Sequence, residues 1–250
     1  MIFYFSGTGN SYDAALRLRD GDERLIDIKD AVWNREFWFE PEENEAVGFV
    51  FPVYFAGLPT IVNYFLKHVD FSVIPSYTYV VATCGGSPMN ACGMAADVLG
   101  RNGYAVRAAY TVMMPDNYVV MFTIPSEEEQ EKILTKAHES LDEIRRSVLA
   151  RRRNRVYASL PKRAATAAMY NFYRFGRSTK EFYTDDKCVG CGVCAGRCPA
   201  KAIRMIDGHP VWIKDQCIHC MSCVRCNAIQ YGDKLKDKAR YKNPVLKKCH

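Results

Sequence analysis

Four cysteines, Cys188, Cys191, Cys194 and Cys198, stand as C-x2-C-x2-C-x3-C with Pro199 directly after them, and this spacing constrains the chain more than any other feature. A C-x2-C-x2-C segment wraps around a cube of iron and sulfide and aims three thiolates at three of its iron corners. A fourth ligand must come from elsewhere. Cys217, Cys220, Cys223 and Cys226 repeat the run imperfectly. A disulfide framework would need an oxidising compartment, and such frameworks belong mostly to short secreted chains rather than to one of 250 residues. Paired C-x-x-C units also suit tetrahedral zinc. Zinc ribbons, however, need neither three cysteines in a row at this spacing nor a proline after the fourth.

On these residues the chain resembles the bacterial two-cluster ferredoxins over roughly residues 184 to 232. In that family the last cysteine of each run serves the other cluster, so the resemblance implies two interlocked [4Fe-4S] sites. One would be held by Cys188, Cys191, Cys194 and Cys226, the other by Cys217, Cys220, Cys223 and Cys198. The second run departs from the pattern: Cys188 stands 14 positions before Ala202, but Cys217 stands only 11 before the matching Ala228, and Asn227 replaces the proline. Cys226 is therefore the least secure of the eight ligands, with the distant Cys249 as a reserve.

A second constraint lies at the other end. The apolar run Ile2 to Phe5 reads as a buried parallel strand, and Ser6-Gly7-Thr8-Gly9-Asn10-Ser11 follows it before a helix expected from about Asn10 to Arg19. Glycines let the backbone come close to a ligand, hydroxyls donate hydrogen bonds, and a helix N-terminus aims free N-H groups at the same point. Together these make a phosphate cradle. The turn has neither the lysine of a nucleoside triphosphate loop nor a G-x-G-x-x-G fingerprint.

Ser6, Thr8, Gly9 and Ser11 resemble the first loop of the flavodoxins, [ST]-x-T-G-x-[ST], which wraps the phosphate of FMN. Further strands are expected at 24–28, 46–51, 76–83 and 104–113, with helices at 59–68 and 90–101, and a reduced or irregular helix between 29 and 44. A long helix capped by Ser126 is expected to begin Glu127-Glu128-Glu129 and to end in arginines, which matches the helix dipole. Five strands alternating with helices predict an α/β fold, a flavodoxin-like doubly wound parallel sheet of order 2-1-3-4-5. The resemblance then assigns an aromatic wall to the loop after the third strand, Pro52, Val53, Tyr54, Phe55, Ala56 and Gly57, with Tyr54 or Phe55 against the flavin ring. It assigns the flavin's polar edge to Thr83, Cys84, Gly85 and Gly86. Loops after strands 1, 3 and 4 converge on one switch point in this order, and that agreement is the main argument for FMN. Met114 to Tyr118 is a further stretch near the same edge. Cys84, with no cysteine partner nearby, reads as a packing residue, and Cys92 as buried on its helix.

The expected organisation is a flavodoxin-like FMN-binding domain at 1–153, a basic and aromatic linker at 154–183, a small α+β two-[4Fe-4S] ferredoxin domain at 184–232, and a polar basic tail at 233–250, ordered only in part. Within the cluster domain, 203–206 and 211–213 flank Asp207-Gly208 and read as a hairpin. A chain of 250 residues can bury one substantial core plus a small module stapled by its clusters. No apolar run is long enough to span a bilayer, and no targeting peptide is evident ahead of the first strand, so a cytoplasmic location is expected, where eleven cysteines stay reduced.

Between 145 and 180 there are eleven Lys or Arg residues and no Asp or Glu. Duplex nucleic acid is one reading and a solvated linker another. The preferred reading is that these cations offset the negative clusters and phosphate, or dock an acidic electron carrier, while Tyr170, Phe172, Tyr173 and Phe175 pack the linker between domains. A homodimer is an open expectation.

Taken together, the motifs resemble the flavodoxin-ferredoxin fusion proteins of anaerobic bacteria. The implied function is electron transfer between [4Fe-4S] clusters, FMN and an external redox protein or small-molecule partner. The competing one is an FMN-dependent reductase of a small molecule, fed by the ferredoxin domain. No paired acid, catalytic histidine or second nucleotide motif is visible for the latter.

Overall fold

The computed structural model describes residues 1–247, so Cys249 lies outside the described residues. The N-terminal part alternates strand and helix. It runs β1 (Ile2–Tyr4), α1 (Asn10–Leu18), β2 (Leu25–Asp27), α2 (Ile28–Asn34), β3 (Trp38–Phe39), β4 (Ala46–Pro52), α3 (Thr60–His68), β5 (Asp70–Phe71), β6 (Tyr77–Cys84), α4 (Ala91–Arg101), β7 (Val106–Met113) and α5 (Glu127–Leu149). Five of these strands form one parallel sheet in the order β2-β1-β4-β6-β7, the expected 2-1-3-4-5. The tiny β3 and β5 pair apart from it.

Alternation along each strand builds the two layers, because successive side chains leave a strand on opposite faces. Phe3, Phe49 and Phe51 pack against α3 and α4 on one side, whereas Ile2 and Val50 pack against α1 and α5 on the other. Phe3 stacks on Phe49 at 5.2 Å between ring centroids and meets Phe39 edge-on at 4.7 Å. The capping box that Ser126 and Glu129 were expected to form is present, each satisfying the other's backbone N-H.

The region between 29 and 44 holds only the short α2, whose N-cap is Asp27, accepting from the Lys29 amide at 2.8 Å. Burial pushes the Asp27 carboxyl from 3.8 up to about 6, against the lowering effect of that bond. A carboxyl whose folded pKa lies above its unfolded one costs stability when ionised, so the penalty is absent below about pH 4 and complete above about pH 6. Asn is an equally good cap that cannot ionise. Asp27→Asn is therefore expected to gain about 1 kcal/mol at pH 7.5 and about a third as much near pH 4.5, read by denaturant unfolding at the two pH values.

Beyond α5 come α6 (Leu160–Phe175), β8 (Phe182–Thr184), α7 (Val193–Arg197), β9 (Ile203–Ile206), β10 (His209–Trp212) and β11 (Ile229–Tyr231), with a 3-10 turn at Cys223–Arg225. β9 and β10 form the expected hairpin, and β8 pairs antiparallel with β11. Where the first cysteine run grows α7, the second, being shorter, has room only for the 3-10 turn.

Three features differ from expectation. The linker contains a regular 16-residue helix, α6, in which Tyr173 is buried but Phe172 and Phe175 stay 76% and 74% exposed, so these two do not pack between the domains. The halves share cores: Ile218 and Cys220 join the cluster around Phe3, and Val119 and Val120, from the loop after β7, join that of Phe182 and Tyr231. The tail also folds back, with Leu235, Tyr241 and Asn243 buried. Its few apolar and amide side chains find a surface on the first domain that composition alone could not indicate.

Candidate redox site

The sheet order brings the carboxyl ends of β1, β4 and β6 together, and a cavity of about 270 Å³ opens there. Ser6, Gly7, Thr8, Asn10, Ser11, Pro52, Val53, Tyr54, Phe55, Thr83, Cys84 and Gly85 line it, from all three expected loops. Gly9, Ala56, Gly57 and Gly86 belong to the same loops but are not in its wall. Residues 115–118, the further stretch expected near this edge, do line it.

Each loop has a local reason for its shape. Gly9 adopts φ +107 at the N-cap of α1, which favours glycine, and Ser6 Oγ accepts its amide at 3.0 Å. The first turn of α1 brings Asn10 and Ser11 to the cavity's polar end, where Ser11 Oγ and Thr83 Oγ1 are 2.7 Å apart and Asn117 donates to Thr8 Oγ1. Asn10 donates to the Pro115 carbonyl at 3.0 Å. In the second loop Tyr54 and Gly57 exchange backbone hydrogen bonds of 2.9 and 3.0 Å around Phe55 and Ala56, at φ 47 and 67. That is a two-residue turn with both central residues left-handed, a geometry costly for a phenylalanine. It sets the Phe55 ring between Tyr173, stacked at 5.8 Å, and Tyr118, edge-on at 5.5 Å. Cys84 donates to the Gly86 carbonyl at 2.9 Å, and burial pushes its thiol up to about 11, which agrees with a packing role.

Several wall residues come from far along the chain and carry no motif: Met121, Phe122, Met169, Tyr173 and His219. His219 sits between Cys217 and Cys220, 5% exposed, with φ 53. Its Nε2-H donates to the Ser178 carbonyl at 2.8 Å, so Nδ1 accepts from the Tyr118 hydroxyl at 3.1 Å, and burial lowers the imidazole's pKa. Its place inside a C-x2-C spacer was the one available signal, since such a residue must lie beside its ligands. The closest approach is at Gly7, where an added Cβ would stand 2.1 Å from the Cys220 carbonyl oxygen. The first loop and the second cysteine run therefore touch backbone to backbone.

Cys198, Cys217, Cys220 and Cys223 line a second, apolar cavity together with Phe182, Ile203 and Trp212, which brings together the four ligands expected from two different runs. As free thiols, burial raises Cys217 to about 11 and Cys220 to about 12, so loading a metal there releases protons. Arg177 donates to the Cys217 carbonyl at 2.6 Å and to the Tyr173 carbonyl at 3.0 Å, joining the end of α6 to this run. Of the other set, Cys188 and Cys194 are half-buried and Cys191 and Cys226 exposed. The Cys226 amide donates to the Cys223 carbonyl at 3.0 Å, closing the 3-10 turn. Among the described residues no three His, Cys, Asp or Glu side chains are gathered tightly enough for a single metal ion.

The residue sets fit the implied groups. The cavity at the carboxyl ends of β1, β4 and β6 has a polar end at a helix N-terminus and an aromatic, thioether-rich end, which matches a phosphate joined to a flat ring system. The thiol-lined cavity matches a cluster that takes one ligand from the neighbouring run.

A model of the 4Fe-4S dicluster domain matches residues 180–226. No curated protein matches the chain significantly. Among solved structures, the Trp repressor binding protein from Bacillus subtilis is 15% identical, with 57% of this chain and 96% of that one covered and a TM-score of 0.36. Azoreductase AzrA is 10% identical, covering 58% and 98%, with a TM-score of 0.36. An azoreductase from Bacillus anthracis is 11% identical, covering 58% and 97%, also with a TM-score of 0.36. Among the described residues no helix is long and apolar enough to cross a membrane. By its own sheet order and by the dicluster match, the chain is a fusion of a flavodoxin-like domain with a C-terminal 4Fe-4S dicluster domain.

Proposed function

We propose that the protein is an electron-transfer intermediary that binds FMN in the cavity at the carboxyl ends of β1, β4 and β6 and two [4Fe-4S] clusters on the cysteine runs. Residues 1–153 form the flavin-binding unit and 184–232 the cluster unit. Cys198, Cys217, Cys220 and Cys223 hold the cluster nearer the flavin, and Cys188, Cys191, Cys194 and Cys226 the one nearer solvent. The observation that carries this reading is that the second cysteine run forms part of the flavin cavity's wall: His219 lines it, and Gly7 rests on Cys220.

When bound, FMN supplies a centre that exchanges one or two electrons and the clusters supply single-electron centres, so their union interconverts the two kinds of carrier. The chain's own residues do the rest. Gly7 lets the two units approach, and Tyr54, Phe55 and Tyr173 exclude water between them. Arg177 holds a cation beside Cys217, where bound cluster and thiolates are negative. At the outer end, Val189 is 86% exposed beside the exposed Cys191, so a donor can come close.

Anaerobic isolation followed by counting is the test. About one flavin and about eight irons with matching sulfide per chain are expected, and EPR of the reduced protein should show two interacting clusters. Colourless protein loaded with zinc would overturn the reading. The alternative, a small-molecule reductase, is favoured by one feature: Met121 and Phe122 line the cavity yet are 59% and 51% exposed, which leaves an apolar opening. Turnover of quinones or nitro compounds that outpaces electron delivery to a carrier protein would select it.

The folded-back tail supports the phosphate loop from behind. The Asn243 amide N-H donates to the Thr8 carbonyl at 2.9 Å, and its side chain donates to Asn10 Oδ1 at 3.1 Å and to Asp13 at 3.3 Å. Tyr241 donates to the same Asn10 oxygen at 2.6 Å. Asn243→Ala removes one of the two donors to Asn10 Oδ1 and one of those to Asp13, loosening the first turn of α1, and is expected to raise the flavin Kd about 10-fold, read by recovery of flavin fluorescence, with the iron content unchanged.

A further inference from the structure

We propose that the outward face of α6 docks an acidic single-electron carrier protein over the mouth of the flavin cavity. This inference rests on the flavin assignment above. At 100° per residue, Leu160, Ala164, Ala168, Phe172 and Phe175 share one side of the helix. The three large ones are 75%, 76% and 74% exposed, both alanines are exposed, and the opposite side buries Thr166 and Tyr173 against the protein. An ordinary surface helix has the reverse pattern. Arg163 and Arg174 lie along one margin of this face, within the stretch from 145 to 180 that has eleven cations and no acid.

Location decides what these features serve. Met169, at the edge of the face and 44% exposed, lines the cavity beside the exposed Met121 and Phe122, so the apolar strip runs from the middle of α6 to the cavity mouth. An apolar strip with a cationic margin suits a small transient interface, in which the cations steer a partner of opposite sign. A second copy of this chain would bring a stretch with eleven cations and no acid against its own like. A carrier seated here exchanges with the flavin directly. One electron leaves the reduced centre in the cavity and reduces the carrier's iron, no bond forms or breaks, and the clusters restore the electron from a second single-electron donor.

The test uses the whole holoprotein under anaerobic conditions, with an acidic bacterial two-[4Fe-4S] ferredoxin as the carrier probe and a basic c-type cytochrome as control, read by titration calorimetry. The ferredoxin should bind, the cytochrome should not, and the affinity should fall at least about 10-fold between about 50 and 200 mM salt. Arg163→Glu with Arg174→Glu should weaken binding at least about 10-fold at low salt and flatten the salt dependence. Phe172→Ser with Phe175→Ser should weaken it about as much and leave the salt dependence as it was. Iron content and the visible spectrum of each variant check its folding. Wild-type affinity in both variants, or no binding by the wild type, overturns the proposal. So does pelleting with vesicles of equal phosphatidylglycerol and phosphatidylcholine that both variants lose while ferredoxin affinity persists, since the face would then be a lipid site. Binding needs no flavin in the cavity, and flavin is counted separately on the same sample, so failure of the flavin assignment appears on its own.

Discussion

Gly7→Ala is expected to separate the two redox units without unfolding either. The added methyl would have to occupy space 2.1 Å from the Cys220 carbonyl oxygen and 3.1 Å from its Cβ. These are main-chain and first side-chain atoms of a ligand loop, and they cannot swing aside as the tip of a long side chain can. Relief requires moving either the phosphate loop or the second cysteine run, and overpacking of this kind costs about 1–3 kcal/mol or more. The flavin Kd should rise about 100-fold, and reduction of the flavin through the clusters should slow by more than binding alone explains. Gly100→Ala is the control, because its Cβ meets nothing within 4 Å in the last turn of α4, where alanine is expected to gain at most about 1 kcal/mol. Rapid-mixing reduction kinetics together with equilibrium flavin titration check both. Wild-type flavin affinity and transfer rate in Gly7→Ala would remove the proposed contact between units.

The second large effect concerns which cysteine serves which cluster. Cys198→Ala lies in the first run but should behave like Cys220→Ala in the second. Each should lower the iron content from about eight to about four per chain and abolish cluster-fed flavin reduction, while a small chemical reductant still reduces the flavin directly. Cys226→Ala should instead behave like Cys191→Ala, keeping the inner cluster and losing the outer one. The geometry supports the first pair directly, since Cys198, Cys217, Cys220 and Cys223 share one apolar cavity although Cys198 and Cys220 are 22 positions apart. Iron and sulfide counts with EPR read the result. A Cys198 variant that keeps its inner cluster would show that each run serves itself.

Much of this site was legible in the residues, for a physical reason. A cubane needs thiolates at fixed short spacings, and a phosphate loop needs small residues between a strand and a helix N-terminus. Such local requirements leave local marks, at Cys188 to Cys198 and at Ser6 to Ser11. The sheet was legible in the same way, because apolar runs suited to buried parallel strands recur between helices, while the order 2-1-3-4-5 came from the resemblance to the flavodoxins. Even the weakness of the second run left its mark, since one of its missing residues falls between Cys223 and Cys226, where the first run forms α7 and the second only a 3-10 turn.

Other features are decided by long-range packing. That the second cysteine run, rather than the first, abuts the candidate flavin cavity is set by long-range contacts, among them Gly7 against Cys220 and Tyr118 with His219. Met169, Tyr173 and His219 join the cavity wall more than a hundred positions from the loops after β1 and β4. The tail reads as solvated by composition, yet Asn243 and Tyr241 find Asn10, more than 230 residues away, and their amide and hydroxyl groups are satisfied only there. Phe172 and Phe175 look like packing residues in the same reading, but the helix they belong to has only one side available for burial, and Thr166 and Tyr173 take it. The sequence by itself determined the kinds of chemistry this protein can hold, because a ligand's local demands are written in short spacings. Which centre faces which, and which side chains remain outside, only the tertiary structure decided, since those outcomes rest on the shapes of surfaces that exist only after the chain has folded.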